Sequence, residues 1–157
     1  MSITLDRTVV PAMTVAALRG TVPTYSDEVQ LWEQMMPLLD AQAVGPTGPG
    51  GVIEHDDEYT PHDVDLSIFV PVAPGTRVEA PLEVLELPRR DCLVARVVGS
   101  YDQITEAHER MAAHVAAEGL VLATGDAVER KAFNLYLTTP DLVGDEELVT
   151  EVYEPLA

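Results

Sequence analysis

Basic residues are scarce in this sequence. Nine stand against 27 acids in 157 residues, and Lys131 is the only lysine. The formal net charge is −18. So few cations cannot neutralise a phosphate backbone, which excludes direct nucleic-acid binding. An acidic surface instead gathers cations around it. Cysteine is nearly absent. Cys92 stands alone in the apolar run "CLVARVV" and reads as a buried, reduced thiol. A nucleophilic thiol needs an electropositive, partly exposed setting, and nothing around Cys92 offers one. No apolar run approaches roughly 18 residues, so no membrane span is expected. The start, "MSITLDRTVV", lacks a basic region followed by an apolar one, so no secretory signal is expected and the reading is cytoplasmic. No Ser-His-Asp or Cys-His arrangement emerges. The acidic loop "HDDEYTPHD" has no regular ligand spacing, so it reads as a solvated hairpin loop and no metal is expected. "GPTGPGG" (45–51) leads into no helix, so it is not a phosphate loop, and no cofactor is expected.

What is present is a regular alternation of periods. Residues 3–9 and 13–22 read as strands split by Pro11. Over 26–43, Val29, Trp32, Met36, Leu39 and Ala43 recur at helical spacing, with Ser26 as a candidate N-cap and Pro37 as a kink or early stop. Short strands follow at 51–55 and 64–72, then two more at 77–87 and 92–98. A second helix over 102–119 carries Ile104, His108, Met111 and Val115 and stops at Gly119. Residues 131–138 and 148–154 close the chain as strands.

This order occurs twice. Strand, glycine (Gly20, then Gly99), helix, loop, strand, strand is one unit, and the halves run about 1–75 and 76–157. One offset sets Trp32 and Met35 against His108 and Met111. Aligning Pro71 with Pro155 sets Phe69 against Tyr153 and Ser67 against Glu151. The expected fold is α+β: two pseudo-symmetric strand-helix-strand-strand units forming one curved antiparallel sheet with two helices and a central groove, as one domain over 1–157.

Alternation then assigns faces. In "VDLSIFVPV", Val64, Leu66, Ile68 and Val70 face the helices, leaving Asp65, Ser67 and Phe69 opposite. In "AFNLYL", Phe133, Leu135 and Leu137 are core-like, leaving Asn134 and Tyr136 with Glu151 and Tyr153 on the mixed face. An aromatic and carboxylate face of this kind is either a solvated outer surface or the floor of a groove.

The stretches "VVGSYDQITEAHERMAAHVAAEGL", "NLYLTTPDLVGDEELVTEVYEPL" and "VDLSIFVPV" resemble, in order and spacing, the GyrI-like family, the AraC-type or bacterial-activator effector-binding domains. The resemblance covers nearly the whole chain. It implies a bacterial pseudo-twofold fold of SHS2-type repeats with a central groove for small aromatic, lipophilic or cationic compounds, as in multidrug binding. Some members are fused to DNA-binding domains, and others stand alone as toxin-protective proteins or hydrolases. This chain looks like a stand-alone member that senses or sequesters a drug or toxin. The alternative is a small hydrolase acting on electrophilic, cyclopropane-type compounds in the same groove. Cation-binding members place a buried Glu two residues before the Tyr of the Tyr-Leu-x-x-Pro strand. Here that position is Asn134, which can orient a ligand but offers no counter-charge.

The candidate ligand-binding residues are Trp32, Met36, Phe69, His108, Asn134, Tyr136, Glu151 and Tyr153. Trp32 and Met36 otherwise read as core stripe, and His108 as a satisfied half-buried histidine. If the chain is catalytic, Glu151 is the base and Tyr136 or Tyr153 the hydrogen-bonding phenol. The expected partner is a small molecule. A basic protein attracted to the acidic surface is a further reading.

Overall fold

The computed structural model describes residues 2–157. Met1, inside the domain expected over 1–157, lies outside them. The chain runs β1 (Ser2–Val10), β2 (Met13–Val22), a 3-10 turn (Tyr25–Glu28), α1 (Val29–Ala41), β3 (Gly51–Glu54), β4 (Val64–Pro71), β5 (Glu83–Leu87) and β6 (Arg90–Val98). A second 3-10 turn (Tyr101–Gln103), α2 (Ile104–Glu118), a third 3-10 turn (Val128–Arg130), β7 (Phe133–Tyr136), a fourth (Asp145–Glu147) and β8 (Val149–Pro155) complete it. The fold is α+β, with all pairings antiparallel in one open sheet of order β1-β6-β8-β7-β3-β4-β2-β5. Among the described residues no helix is long and apolar enough to cross a membrane.

The two units are β2-α1-β3-β4 and β6-α2-β7-β8, meeting at the β3–β7 pair. Each is preceded by a strand that joins the other unit: β1 pairs with β6, and β5 pairs with β2. This exchange bends the sheet. β1 and β2 stand six strand spacings apart, roughly 29 Å if the sheet were flat. Only Pro11 and Ala12 link them, and two residues span at most about 11 Å. The link between β5 and β6 is equally short and repeats the constraint. The sheet therefore curls.

Directly paired residues share a face, which makes the two sides easy to follow. Leu18, Ile68, Val52, Asn134, Val152 and Ala95 form one row. α1 covers its first part through Leu31, Met35 and Leu39, and α2 its last part through Ala107 and Met111. The helices thus lie on one side, over two separate cores, with β3 and β7 between them. The opposite, concave side carries Ile53, Phe69, Phe133 and Tyr153 in a third core shared with Cys92 and Val94. Burial there pushes the Cys92 thiol up to about 11, so it stays protonated and inert.

Several local expectations need correction. The strand expected over 77–87 begins only at Glu83, because Pro81 has no N–H for the ladder. The strand expected over 131–138 is Phe133–Tyr136. The entry to α1 is held by Thr24 and not Ser26. Asp27 Oδ2 accepts from the Thr24 N–H (3.0 Å) and hydroxyl (2.8 Å). α1 continues past Pro37 to Ala41. α2 stops at Gly119 as expected, with φ +63°.

The larger correction concerns β7. Leu66 and Ile68 do face the helices, but Phe133 and Leu135 do not. Asn134 pairs with Val52 and Val152, so Asn134 and Tyr136 point to the helix side. Phe133 and Leu135 sit opposite Tyr153 and Glu151 on the concave side. The alternation was misleading because this sheet buries apolar side chains on both faces.

Candidate functional site: the groove between the helices

The groove floor is β3 and β7, and its walls are the two helices. Gly50 and Gly51 explain the glycine-rich stretch before β3. A Cβ on Gly50 would come within 2.9 Å of the Trp32 indole. A Cβ on Gly51 would come within 2.6 Å of the Phe69 ring. One glycine makes room for an aromatic on the helix side, and the next for one on the concave side.

At one end of the groove, Glu28 is the centre. It ends the 3-10 turn that opens α1 and points inward. Trp32, one helical turn on, donates its indole N–H to Glu28 Oε2 at 2.9 Å. The Tyr136 hydroxyl lies 2.8 and 2.9 Å from the two carboxylate oxygens and shares its proton between them. Tyr101, from the turn before α2, packs edge-on to Tyr136 with centroids 5.9 Å apart. Burial raises the Glu28 carboxyl above the usual range, and the two hydrogen bonds oppose that rise. The Tyr136 phenol is held well above its ordinary value, first by burial and then by the Glu28 charge. The result is a carboxylate fixed between two aromatic rings from opposite halves of the molecule.

The pseudo-symmetric end differs. There His108 stands where Trp32 stood, and Glu54 where Tyr136 stood. His108 Nδ1 is 3.9 Å from Glu154 Oε1. That contact raises the imidazole, against the effect of burial. Burial raises Glu54, attraction to His108 lowers it, and the nearby Glu28, Glu154 and Asp56 raise it further. Asn134, only 5% exposed, sits on the axis between the two ends.

The expected residues therefore divide. Trp32 and Tyr136 meet at Glu28, while Asn134 lies on the axis and His108 at the other end beside Glu154. Met36 lies outside the groove; it is 49% exposed, and Met35 takes the core position on α1. Phe69 is 0% exposed inside the concave core. Glu151 and Tyr153 are across the sheet from Tyr136. The Tyr153 hydroxyl donates to Glu151 Oε1 at 2.9 Å, and Arg96 reaches Glu151 Oε2 at 3.4 Å. The pairing of Glu151 with Tyr136 does not exist.

Glu28 and Tyr101 escaped the sequence reading. Glu28 lies four residues before Trp32, a spacing that places both on one helix face. The repeat hid it, because its counterpart is Ile104. The Glu28 carboxylate reaches Tyr136 on β7 from the 3-10 turn before α1. In the acidic loop, His55 Nε2 lies 2.7 Å from the buried Ser67 hydroxyl. Asp56 accepts from the Asp65 N–H, and Asp57 pairs with the buried Lys131. These contacts anchor the loop to the sheet.

A family profile described as the GyrI-like small molecule binding domain matches residues 8–157. The chain belongs to the GyrI-like family. Solved structures agree on the fold. EcmrR in a complex with DNA superposes with a TM-score of 0.87 at 18% identity, covering 98% of this chain and 57% of that one. This chain thus spans a little over half of that protein. The EcmrR C-terminal domain alone gives 0.82 at 17% identity, covering 100% of this chain and 99% of the domain. A hydrolase from Listeria innocua gives 0.65 at 17%, covering 98% and 91%. SAV2435 bound to tetraphenylphosphonium gives 0.65 at 15%, covering 100% and 94%. Among curated proteins none matches.

Proposed function

We infer that this GyrI-like protein senses or sequesters an aromatic, lipophilic, basic or cationic small molecule in the groove between α1 and α2. The observation that carries this reading is the Glu28 carboxylate held between Trp32 and Tyr136. A buried carboxylate is costly unless something compensates it. Here two neutral donors do so in part, and a ligand cation stacked on the indole and phenols would complete the compensation. The relative solved with tetraphenylphosphonium supports this class.

Tetraphenylphosphonium is therefore the first probe, and Trp32, the only tryptophan, is the reporter. Titration should quench Trp32 fluorescence saturably. Glu28→Gln should keep the fold and weaken binding by about tenfold, the scale of a charge-assisted contact. Unchanged affinity in Glu28→Gln would remove Glu28 from the site and the reading with it.

The same pair supports a hydrolytic reading. Glu28, with its raised pKa, can take a proton from water as the water oxygen bonds to a strained ring carbon; the ring C–C bond breaks, its electron pair passes to a conjugated carbonyl oxygen, and Tyr136 turns its hydroxyl from Glu28 to donate to that oxygen. The Listeria innocua relative is described as a hydrolase. Turnover of a cyclopropane-type electrophile, lost in Glu28→Gln and in Tyr136→Phe, distinguishes catalysis from binding.

A further inference from the structure

The concave side of the sheet carries a hollow that the groove does not explain. It measures about 310 Å³ and lies between the whole β1–β2 connection, Thr8 to Met13, and the side chains of Leu135 and Tyr153. That volume stands at the lower end of small-molecule sites, roughly 300–1,000 Å³. Its origin is the strand exchange. The link through Pro11 and Ala12 crosses the curl and borders the hollow. Val9, at its edge, is 42% exposed, so an apolar rim meets solvent there.

The lining is selective in two ways. None of the lining residues is charged, in a chain whose net charge is −18. A cation has no reason to leave the acidic exterior for this wall, and an anion is repelled before it arrives. The lining includes two hydroxyl residues, Thr8 and Tyr153, and the Tyr153 hydroxyl donates its only proton to Glu151. Glu151 is tied in turn to Arg96. The phenol is thus locked as an acceptor: its oxygen lone pairs are free and its hydrogen is not. Met13 adds an adaptable wall.

We propose that this hollow is a second ligand site, for a neutral lipophilic molecule carrying one hydrogen-bond donor that Tyr153 accepts. It lies across the sheet from Glu28 and Trp32, so it stands or falls apart from the groove. The two faces would then sort ligands by charge, the groove taking bases and the hollow taking neutral phenols or alcohols.

The test is methyl and indole NMR on the whole chain, with 2-naphthol as probe and 2-methoxynaphthalene as its donor-free analogue. Both should shift the Met13 and Leu135 methyl signals saturably, with the Trp32 indole titrating separately or not at all. 2-Naphthol should bind about fivefold tighter, the scale of one hydrogen bond. Tyr153→Phe should erase that difference while leaving the analogue's affinity unchanged. Ala12→Trp, at an exposed position, should fill the hollow and abolish both responses. Equal affinities in wild type, shifts confined to Trp32, or responses that survive Ala12→Trp would each overturn the proposal. Met13 shifts that follow protein concentration without probe would also overturn it, by showing that a second copy covers the hollow.

Discussion

Glu28 shows how a single residue can escape pattern reading. Its neighbours Asp27 and Val29 give it no visible face, and only the fold brings Tyr136 to it from more than a hundred residues away. Trp32 stood out as the only tryptophan and Tyr136 as an aromatic two residues from Asn134, although alternation gave Tyr136 the wrong face. Glu151 was over-read. Between β-formers it resembled a ligand group, yet it serves Tyr153 and Arg96 on the other face. At this scale Glu54 makes the cleanest prediction. Burial raises its folded pKa above the unfolded value. Stability linked to it is therefore fully present below the unfolded carboxylate pKa and is lost as pH rises through the folded pKa. Glu54→Gln should raise Tm at pH 7, by about 2–4 °C per kcal/mol of relieved penalty. The gain should vanish near pH 3, where both proteins are neutral at this position. Thermal melts at the two pH values check it, and an equal shift at both would show that ionisation is not the cause.

The elements themselves were readable. The period of α2, the glycine stop and the two strand-helix-strand-strand units fall where the sequence places them, because hydrophobic period and backbone chemistry are local properties; on α1 the buried stripe is Leu31, Met35 and Leu39, and Val29 and Met36 are exposed. What local pattern could not supply was the face of β7. A sheet packed on one side only would make "AFNLYL" unambiguous. This one buries Phe133 on the concave side and Asn134 on the helix side, so either assignment satisfied the alternation. The exchange of β1 and β5 was equally invisible, since strand partners are not encoded by period. β3 carries the element-scale prediction. A Cβ on Gly51 would collide with the Asn134 carbonyl oxygen and stand 2.6 Å from the Phe69 ring. The first of these contacts is backbone and cannot swing away. Gly51→Ala should destabilise the fold by at least about 1–3 kcal/mol, read as a lower urea midpoint. Gly45→Ala, where a Cβ meets nothing within 4 Å, is the control and should change little. An undisturbed midpoint for Gly51→Ala would mean that β3 and β7 approach less closely than described.

On the scale of the molecule, charge is the dominant property. Net charge −18 on 157 residues makes the folded chain repel itself, and five ion pairs among the described residues offset little of that. The same field attracts cations toward a groove whose buried charge is also negative. Salt should therefore act with opposite signs on two measurements. Raising NaCl from 10 mM to 500 mM shrinks the screening length from roughly 30 Å to a few ångströms. Self-repulsion is then screened, so Tm should rise. Steering is screened as well, so the association rate of tetraphenylphosphonium, followed by stopped-flow quenching of Trp32, should fall by about tenfold or more. Its dissociation rate should change much less, because long-range steering acts on the encounter. A neutral aromatic of similar size should associate at a rate nearly independent of salt. A tetraphenylphosphonium rate as flat as the neutral one's would show that the acidic surface serves solubility alone and does not guide ligands to the groove.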